Sequence, residues 1–308
     1  MNNYSKYNQE QESSSAGYRS TGQNQYTFEK KRPKSRCGCC LFLLITPIIV
    51  FVLLILGIFL TLPGRSNILI LGIDSRENSN LGRSDTNILM TIIPSKPYIG
   101  MLSIPRDLWV FIPNIGENRI NTAHYFAEAQ ESGTGPEAAK ETVQVNFGVD
   151  VHYYIRLHLI GFLNLVDALG GIDVNLPRAM SGYGAGTHHL SGEEALALVR
   201  DRAGSDDFSR MERGQIMIYA ILKQIASPSS WSEIPVIWQI ITANLDTDIP
   251  VWEIPSFVLT YIRIGTNGID ARIIDREMVV PFTSAGGASV LAPNWDRINP
   301  MLFELFGQ

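Results

Sequence analysis

The spacing of apolar positions divides the chain into a polar head, an unbroken apolar run and a long stretch of alternating patterns. Residues 1–36 are rich in Asn, Gln, Ser, Tyr and Gly and almost devoid of aliphatic side chains. Such a segment buries too little surface to offset chain entropy, so a disordered tail is expected. Cys40 to Leu62 is 23 residues without a charge. As a helix rising ~1.5 Å per residue it would extend about 35 Å, enough to cross a bilayer. Beyond Asn67, short β-branched runs alternate with helical spacing, the arrangement of a sheet covered by helices.

Within that last stretch Asn67 to Ile73, Thr86 to Ile93, Ile99 to Ser103 and Tyr153 to Leu157 read as strands, with Ile172 to Asn175 a further short one. Ile120 to Gln130, Glu137 to Asn146 and Ile160 to Leu169 carry helical spacing. Ser191 with Glu194 three residues on forms a capping box for a helix through Leu198, and Phe208 to Ile225 makes another with a strong apolar face. Apolar helices carrying Trp231, Trp238 and Trp252 follow, and a last helix spans Trp295 to Phe306. The organisation read from this is a cytoplasmic tail at 1–36, a transmembrane anchor at 37–62 and one α/β extracytoplasmic domain at 63–308.

Charge gives the anchor a direction. The net charge is −5, yet residues 1–36 hold 7 basic against 3 acidic side chains, leaving 18 against 27 for the rest. Lys30, Lys31, Arg32, Lys34 and Arg36 stand just before the apolar run, and the positive-inside rule places that flank in the cytoplasm. The predicted location is the plasma membrane, single-pass, with the C-terminal part outside. A cleaved signal peptide would have a shorter apolar core nearer the N-terminus and a small-residue cleavage site, which Leu62-Pro-Gly-Arg65 does not offer. Cys37, Cys39 and Cys40 all flank the run, so the exported part has no disulfide and stands on its core. No basic stripe crosses the folded part, which argues against nucleic acid as a partner.

Candidate chemistry gathers where apolar runs end. Asp74 closes the first strand, and Arg83-Ser-Asp85-Thr86 opens the next, so both acids can meet at one sheet edge, where ligands of such sheets bind. Two carboxylates there suit Mg²⁺, which takes one or two acidic ligands with waters and phosphate oxygens; turn capping is the alternative. Arg106-Asp107 follows the third strand and Arg119-Ile-Asn121 a helix start. Between Arg200 and Arg213 lie four arginines with Asp201, Asp206, Asp207 and Glu212. Guanidinium forks match phosphate oxygens, although a salt-bridge lattice would use the same residues. His188-His189 sits in a Gly-rich stretch read as a solvent loop. No Gly-x-Ser-x-Gly, His-Glu-x-x-His or exported Cys is present, so serine, zinc-protease and thiol mechanisms lack their parts.

The order of these pieces resembles the LytR-CpsA-Psr family of bacterial cell-envelope proteins. The resemblance rests on Asn67-Ile-Leu-Ile-Leu-Gly-Ile-Asp74, Arg83-Ser-Asp85-Thr86, Ser103-Ile-Pro-Arg106-Asp107 and Arg119-Ile-Asn121. It continues through Val166-Asp-Ala-Leu-Gly-Gly-Ile-Asp173-Val and Leu190-Ser-Gly-Glu-Glu-Ala-Leu to Asp207-Phe-Ser-Arg210. It implies a three-layer α/β/α sandwich around a central mixed sheet. It also implies a phosphotransferase that moves a glycopolymer from a polyprenyl-pyrophosphate carrier to a peptidoglycan acceptor, on the membrane lipid surface.

On matching positions the resemblance gives Asp74 and Asp85 to Mg²⁺. Arg83, Arg106, Arg200, Arg202, Arg210 and Gln215 fall to the pyrophosphate, and Asp207, with Arg106 and Arg202, to catalysis. One departure stands out: the family's helix continues Arg-Gln-Gln where this chain has Arg213-Gly214-Gln215. Phe162, Leu163, Ile216, Ile218 and Tyr219 are read either as the wall of a lipid tunnel or as core. The alternative function is non-catalytic capture of polyprenyl phosphates.

Overall fold

The computed structural model describes residues 45–54, 57, 64–75, 80–201, 206–227, 239, 245–265 and 268–307. They fall into two units, one within Met1–Leu53 and one within Leu54–Gln308. In the first, residues 45–53 are helical. No helix among the described residues is long and apolar enough to cross a membrane; most of the expected span lies outside them.

In the second unit the described elements run β1 (Ser66–Ile73), β2 (Ser84–Ile93), β3 (Tyr98–Ile104), β4 (Trp109–Ile112), β5 (Gly116–Arg119), α1 (Thr122–Gln130) and α2 (Gly135–Phe147). There follow β6 (Tyr153–His158), α3 (Leu159–Ala168), β7 (Ile172–Leu176), β8 (Gly186–Leu190), α4 (Gly192–Arg200) and α5 (Asp207–Ile225). The chain closes with β9 (Leu245–Thr247), α6 (Ile254–Ile264), β10 (Ile269–Ile273), β11 (Val279–Thr283), β12 (Ser289–Pro293) and α7 (Trp295–Phe306).

Six strands form a central mixed sheet in the order β10-β3-β2-β1-β6-β9. β1 is antiparallel to β2 and parallel to β6, while β3 is antiparallel to β2 and parallel to β10. Strand alternation then sorts the side chains. Leu69, Leu71 and Ile73 join a core with Val143, Phe147, Ile298 and Leu305 on one face, from α2 and α7. Ile68 joins Met90, Ile99, Met101 and Tyr261 on the other, with Ile218 and Tyr219 of α5 packed against them. Helices cover both faces, so β1 and β2 are apolar on both sides, which is why they read as continuous apolar runs. A satellite core joins α3, α4, α5, β7 and β8.

The expected strands and helices of the first half appear close to their expected bounds. The hairpins β4–β5 and β11–β12 and the strand β8 are not among the expected elements. Gly116-Glu-Asn-Arg119 pairs with Trp109–Ile112 in antiparallel register, and Trp109 Nε1 donates across it to Glu117 at 3.3 Å. One expectation is corrected: His188 and His189 are not in a loop but on β8, opposite Val174 and Asp173. Trp252 precedes α6, while Trp231 and Trp238 lie outside the described residues. The capping box is formed, with Ser191 Oγ accepting from Glu194 N and Glu194 accepting from Ser191 N.

Candidate functional site

β1, β3 and β6 end, and β2 begins, at one end of the sheet, and the charged motifs meet there. The β1–β2 register slips between Gly72 and Ile73, which pair with Thr86 and Ser84. Asp85 is thus the extra residue of a bulge, a device that re-aims a side chain out of the ladder. Gly72 is required at this slip, because a Cβ there would lie 2.9 Å from Thr86 Cβ. Asp74 follows β1, its backbone N–H donating to Arg83 O at 3.3 Å. Asp74 and Asp85 line one groove; Arg83 is exposed and is not among the lining residues.

Arg106, just past β3, joins three carboxylates. Its Nη1 is 3.0 Å from Asp85 Oδ2, its Nη2 3.5 Å from Asp207 Oδ1 and its Nε 3.5 Å from Asp107 Oδ2. Asp107 also holds Arg119 at 3.2 Å, so Arg119 braces the loop and does not enter the groove lining. Asn121 ties the layers together: its N–H donates to Arg106 O, and its carbonyl accepts from Ser84 N. Ser103, on the floor of the groove, accepts from Gln215 Nε2 at 2.9 Å, and the same nitrogen reaches Arg272 O at 2.7 Å. Gln215, expected at the pyrophosphate, is buried behind Ser103 and outside the groove lining.

The acidic and basic residues from the last residue of α4 onward separate into two roles. Arg200, Asp207 and Arg210 line the groove, and Asp207 pairs with Arg210 one turn on as well as with Arg106. Asp206 caps α5 by accepting from Ser209 N at 3.0 Å, and it pairs with Arg276. Glu212 takes Arg178 in a two-pronged contact at 2.7 and 2.5 Å. Arg213 is 2% exposed and donates to Asp201 O at 2.6 Å. The lattice reading therefore describes Asp206, Glu212 and Arg213, whereas Arg200, Asp207 and Arg210 face the cavity. Arg202 lies outside the described residues. Gly214 is buried and outside the groove lining, and a Cβ there would sit 3.9 Å from Cγ2 of the lining residue Thr86 with nothing closer.

The groove encloses about 1590 Å³. Its charged end is formed by Asp74, Asp85, Arg106, Arg200, Asp207 and Arg210, and its apolar wall includes Leu159, Leu163, Leu196, Leu198, Val199 and Met211. Of the five residues read as tunnel or core, only Leu163 lines it. Phe162 and Ile216 pack on the satellite core and Ile218 and Tyr219 on the sheet.

The residues present suit a divalent cation at the charged end. Asp74 and Asp85 offer only oxygen donors, and Asp74 is exposed to the groove. Among the described residues no group of three or more His, Cys, Asp or Glu forms a closed metal cage. Mg²⁺ needs none, since it keeps several waters and takes one or two carboxylates.

A buried polar cluster beneath the Asp74–Asp85 loop was not apparent in the sequence. Arg156 on β6 reaches Glu128 of α1 at 3.0 Å and Asp246 of β9 at 2.5 Å. His124, fully buried, has Nδ1 2.9 Å from Gly82 O and Nε2 3.3 Å from Arg156 Nη1. Those partners assign the Nδ1–H tautomer, with Nε2 accepting from Arg156. Burial, followed by the neighbouring Arg156 charge, holds the His124 pKa below its ordinary value despite the Gly82 bond. Glu128 resists the desolvation that would raise its pKa, because the N–H groups of Gly133 and Gly135 and the Arg156 charge pull it below the ordinary value. The clue was present as a His-x-x-x-Glu spacing on α1, but only the fold brings Arg156 to it.

Comparison with known proteins bears on this groove. The family model described as the LytR_cpsA_psr family matches residues 60–302. The chain belongs to that family. Among its relatives, the polyisoprenyl-teichoic acid–peptidoglycan teichoic acid transferase TagU of Oceanobacillus iheyensis is 38% identical over 207 residues, 65% of this chain and 64% of the relative. TagU of Bacillus subtilis is 32% identical over 200 residues, 62% of this chain and 63% of the relative. The chain thus spans a little under two thirds of the length of these family members. The crystal structure of B. subtilis TagV superposes with a TM-score of 0.65 at 26% identity, covering 79% of this chain and 97% of that one. A family structure of TagT bound to LIIa-WTA shares the fold, with a TM-score of 0.62 at 24% identity over 80% of this chain and 92% of that one.

Proposed function

We propose that this chain is a membrane-anchored, Mg²⁺-dependent phosphotransferase that moves a glycopolymer from a polyprenyl-pyrophosphate carrier to a peptidoglycan hydroxyl outside the cell. The observation that carries this reading is one groove with an anionic-and-guanidinium end and an apolar wall. The charged end suits a pyrophosphate and the wall a polyprenyl chain. Its volume exceeds that of ordinary small-ligand pockets, about 300–1,000 Å³. The transferase names of the relatives point to the same class of donor and acceptor. The apolar run from Cys40 to Leu62 and the basic flank before it support a single-pass anchor with its N-terminus cytoplasmic.

Phosphoryl transfer depends on positioning and on stabilising charge spread over non-bridging oxygens. Arg106, Arg200 and Arg210, with Arg202, would hold the pyrophosphate. When bound, Mg²⁺ would rest on Asp74 and Asp85 and add positive charge to those oxygens. The acceptor hydroxyl oxygen bonds to the phosphorus that carries the glycopolymer. The bond from that phosphorus to the bridging oxygen breaks, and polyprenyl phosphate leaves with its electron pair. Asp207 takes the hydroxyl proton. Arg106, bonded to both Asp85 and Asp207, keeps the metal-side and base-side carboxylates at one spacing.

A second reading, capture of polyprenyl phosphate without turnover, is motivated by Gly214, which stands in α5 at the position where the family pattern has an amide. Full-length protein in lipid nanodiscs, given a polyprenyl-pyrophosphate-linked oligosaccharide, Mg²⁺ and peptidoglycan fragments, separates the two. A phosphodiester-linked conjugate seen by mass spectrometry and lost with chelator or in Arg202→Ala supports transfer. Tight lipid binding with no conjugate across several acceptors supports capture.

A further inference from the structure

α6 is built inside out for a helix in water. Ser256 and Thr260 are buried at 4% and 1% exposure, while Val258, Leu259 and Ile262 stand out at 39%, 44% and 55%. The buried hydroxyls are satisfied within the helix, Thr260 Oγ1 donating to Ser256 O and Ser256 Oγ to Glu253 O, each at 2.7 Å. Tyr261, Phe257 and Ile264 fix that face on the sheet beside β2 and β3. The aliphatic stripe therefore has no partner within the described residues, and Val251 and Trp252, 60% and 79% exposed, extend it.

The place of α6 in the fold indicates what covers the stripe. β9 runs antiparallel to β6, and Asp248, just beyond it, accepts from Tyr154 N at 2.6 Å. The chain thus leaves β9 beside the start of β6, where Tyr153 pairs with Ile68 of β1. At the other end of the helix, Arg263 Nη1 donates to Pro94 O at 3.4 Å, in the turn after β2. Ser95 of that turn bonds Gly64 O at 3.5 Å. Both ends of α6 lie at the end of the sheet where the chain enters β1, opposite the charged groove. In sequence, Gly64 is two residues past Leu62, the last residue of the uncharged apolar run. Exposed Lys96 and Arg263 flank the stripe at this end, and Asp248 is already paired with Lys140 at 3.1 Å.

We propose that α6 with Val251 and Trp252 is a bilayer-docking face, seated in the outer leaflet with Lys96 and Arg263 at the phosphate level. Amphipathic helices bury an apolar face in the headgroup and acyl boundary in this way, Trp settles at that boundary, and basic side chains reach anionic headgroups. The 8 residues of β1, at ~3.3 Å each, then set the groove roughly 26 Å from the docked end. The charged mouth faces away from the membrane, toward a wall-side acceptor. The inference rests on the anchor reading of residues 37–62.

Full-length protein in nanodiscs of phosphatidylcholine with a minor share of phosphatidylglycerol tests it, with brominated acyl chains as the quencher of Trp fluorescence. The expected result is quenching in the native protein that is lost in Trp252→Phe and reduced in Ile262→Ser, whose exposed position leaves the fold intact. Equal quenching in native and Trp252→Phe protein overturns the proposal. So does shielding of Trp252 from aqueous acrylamide without bromolipid quenching, the pattern of a second copy on this face. Alkaline extraction of vesicles carrying the same protein reports on the anchor separately. Release at high pH with Trp252 quenched beforehand would reject the anchor and keep the docking face.

Discussion

His124 Nδ1 bonds the carbonyl of Gly82, and that single contact ties a fully buried ring to the loop bearing Asp74 and Asp85. The same ring rests on Arg156, itself paired with Glu128 and Asp246. The loop that carries both candidate metal ligands is thus braced from below by a charged cluster of which His124, Arg156 and Glu128 are buried.

Removing Glu128 breaks the buried half of that cluster and leaves Arg156 with only Asp246, whose side chain is 42% exposed. Glu128→Gln should lower stability by about 3–5 kcal/mol, the usual cost of breaking a buried ion pair, as read from urea denaturation. In Glu128→Met with Arg156→Met the loss should be smaller than in either single variant. Equal or additive losses would show that the two residues act separately.

Acid should weaken the fold before the carboxylates titrate. Above the ordinary His value of 6.5 the ring is neutral in both states. Below it the unfolded chain binds a proton that buried His124 refuses, so stability rises with pH across the window between the depressed folded pKa and 6.5. His158, also lowered by burial and by Arg156, acts in the same direction. The denaturation midpoint should fall between about pH 7.5 and about pH 5.5, and His124→Gln should flatten that slope. His189, raised by its bond to Asp173, acts in the opposite direction, so the test is the difference between the two proteins. The same pH dependence in native and His124→Gln protein would mean that burial does not hold His124 neutral.

Gly214 lies inside α5, and the Cβ of any residue replacing it would meet only Thr86 Cγ2, at 3.9 Å. Gly214→Ala should therefore stabilise the protein by up to ~1 kcal/mol, the helix-propensity difference. Thermal unfolding checks this. A loss of stability would mean that the space between α5 and Thr86 does not admit a methyl group.

Arg106 reaches Asp85 and Asp207 with separate nitrogens, which a lysine cannot do. Arg106→Lys should reduce conjugate formation roughly 100-fold or more, by analogy with the loss of one preorganised donor. Far-ultraviolet circular dichroism should be unchanged. Full turnover in the variant would remove Arg106 from the reaction.

Asp74 is exposed at a strand end, so Asp74→Ala should leave stability within about 0.5 kcal/mol while raising the Mg²⁺ concentration needed for half-maximal conjugate. If the Mg²⁺ curve does not move, the metal does not rest on Asp74.

The sequence by itself determined the paired strands β1 to β3, the helices α1 to α5 and α7, and the position of Asp74, Asp85, Arg106 and Asp207 at element ends. Those are local matters, set by apolar period, capping residues and the breaks between runs. Tertiary structure alone decided which charges meet. Arg106 and Asp207 are distant in sequence, and no periodicity reports that α5 lies over the ends of β1 to β3. It also withdrew Gln215 behind Ser103, because a helix presents only one face to a groove and the opposite face must bond the sheet. Arg156, His124 and Glu128 were invisible for the same reason: a buried charge is recognisable only once its partners, supplied by other strands and helices, are in place. The sequence showed only that an apolar helix lies near Trp252, and the inward packing of Ser256 and Thr260 decided that Val258, Leu259 and Ile262 face outward.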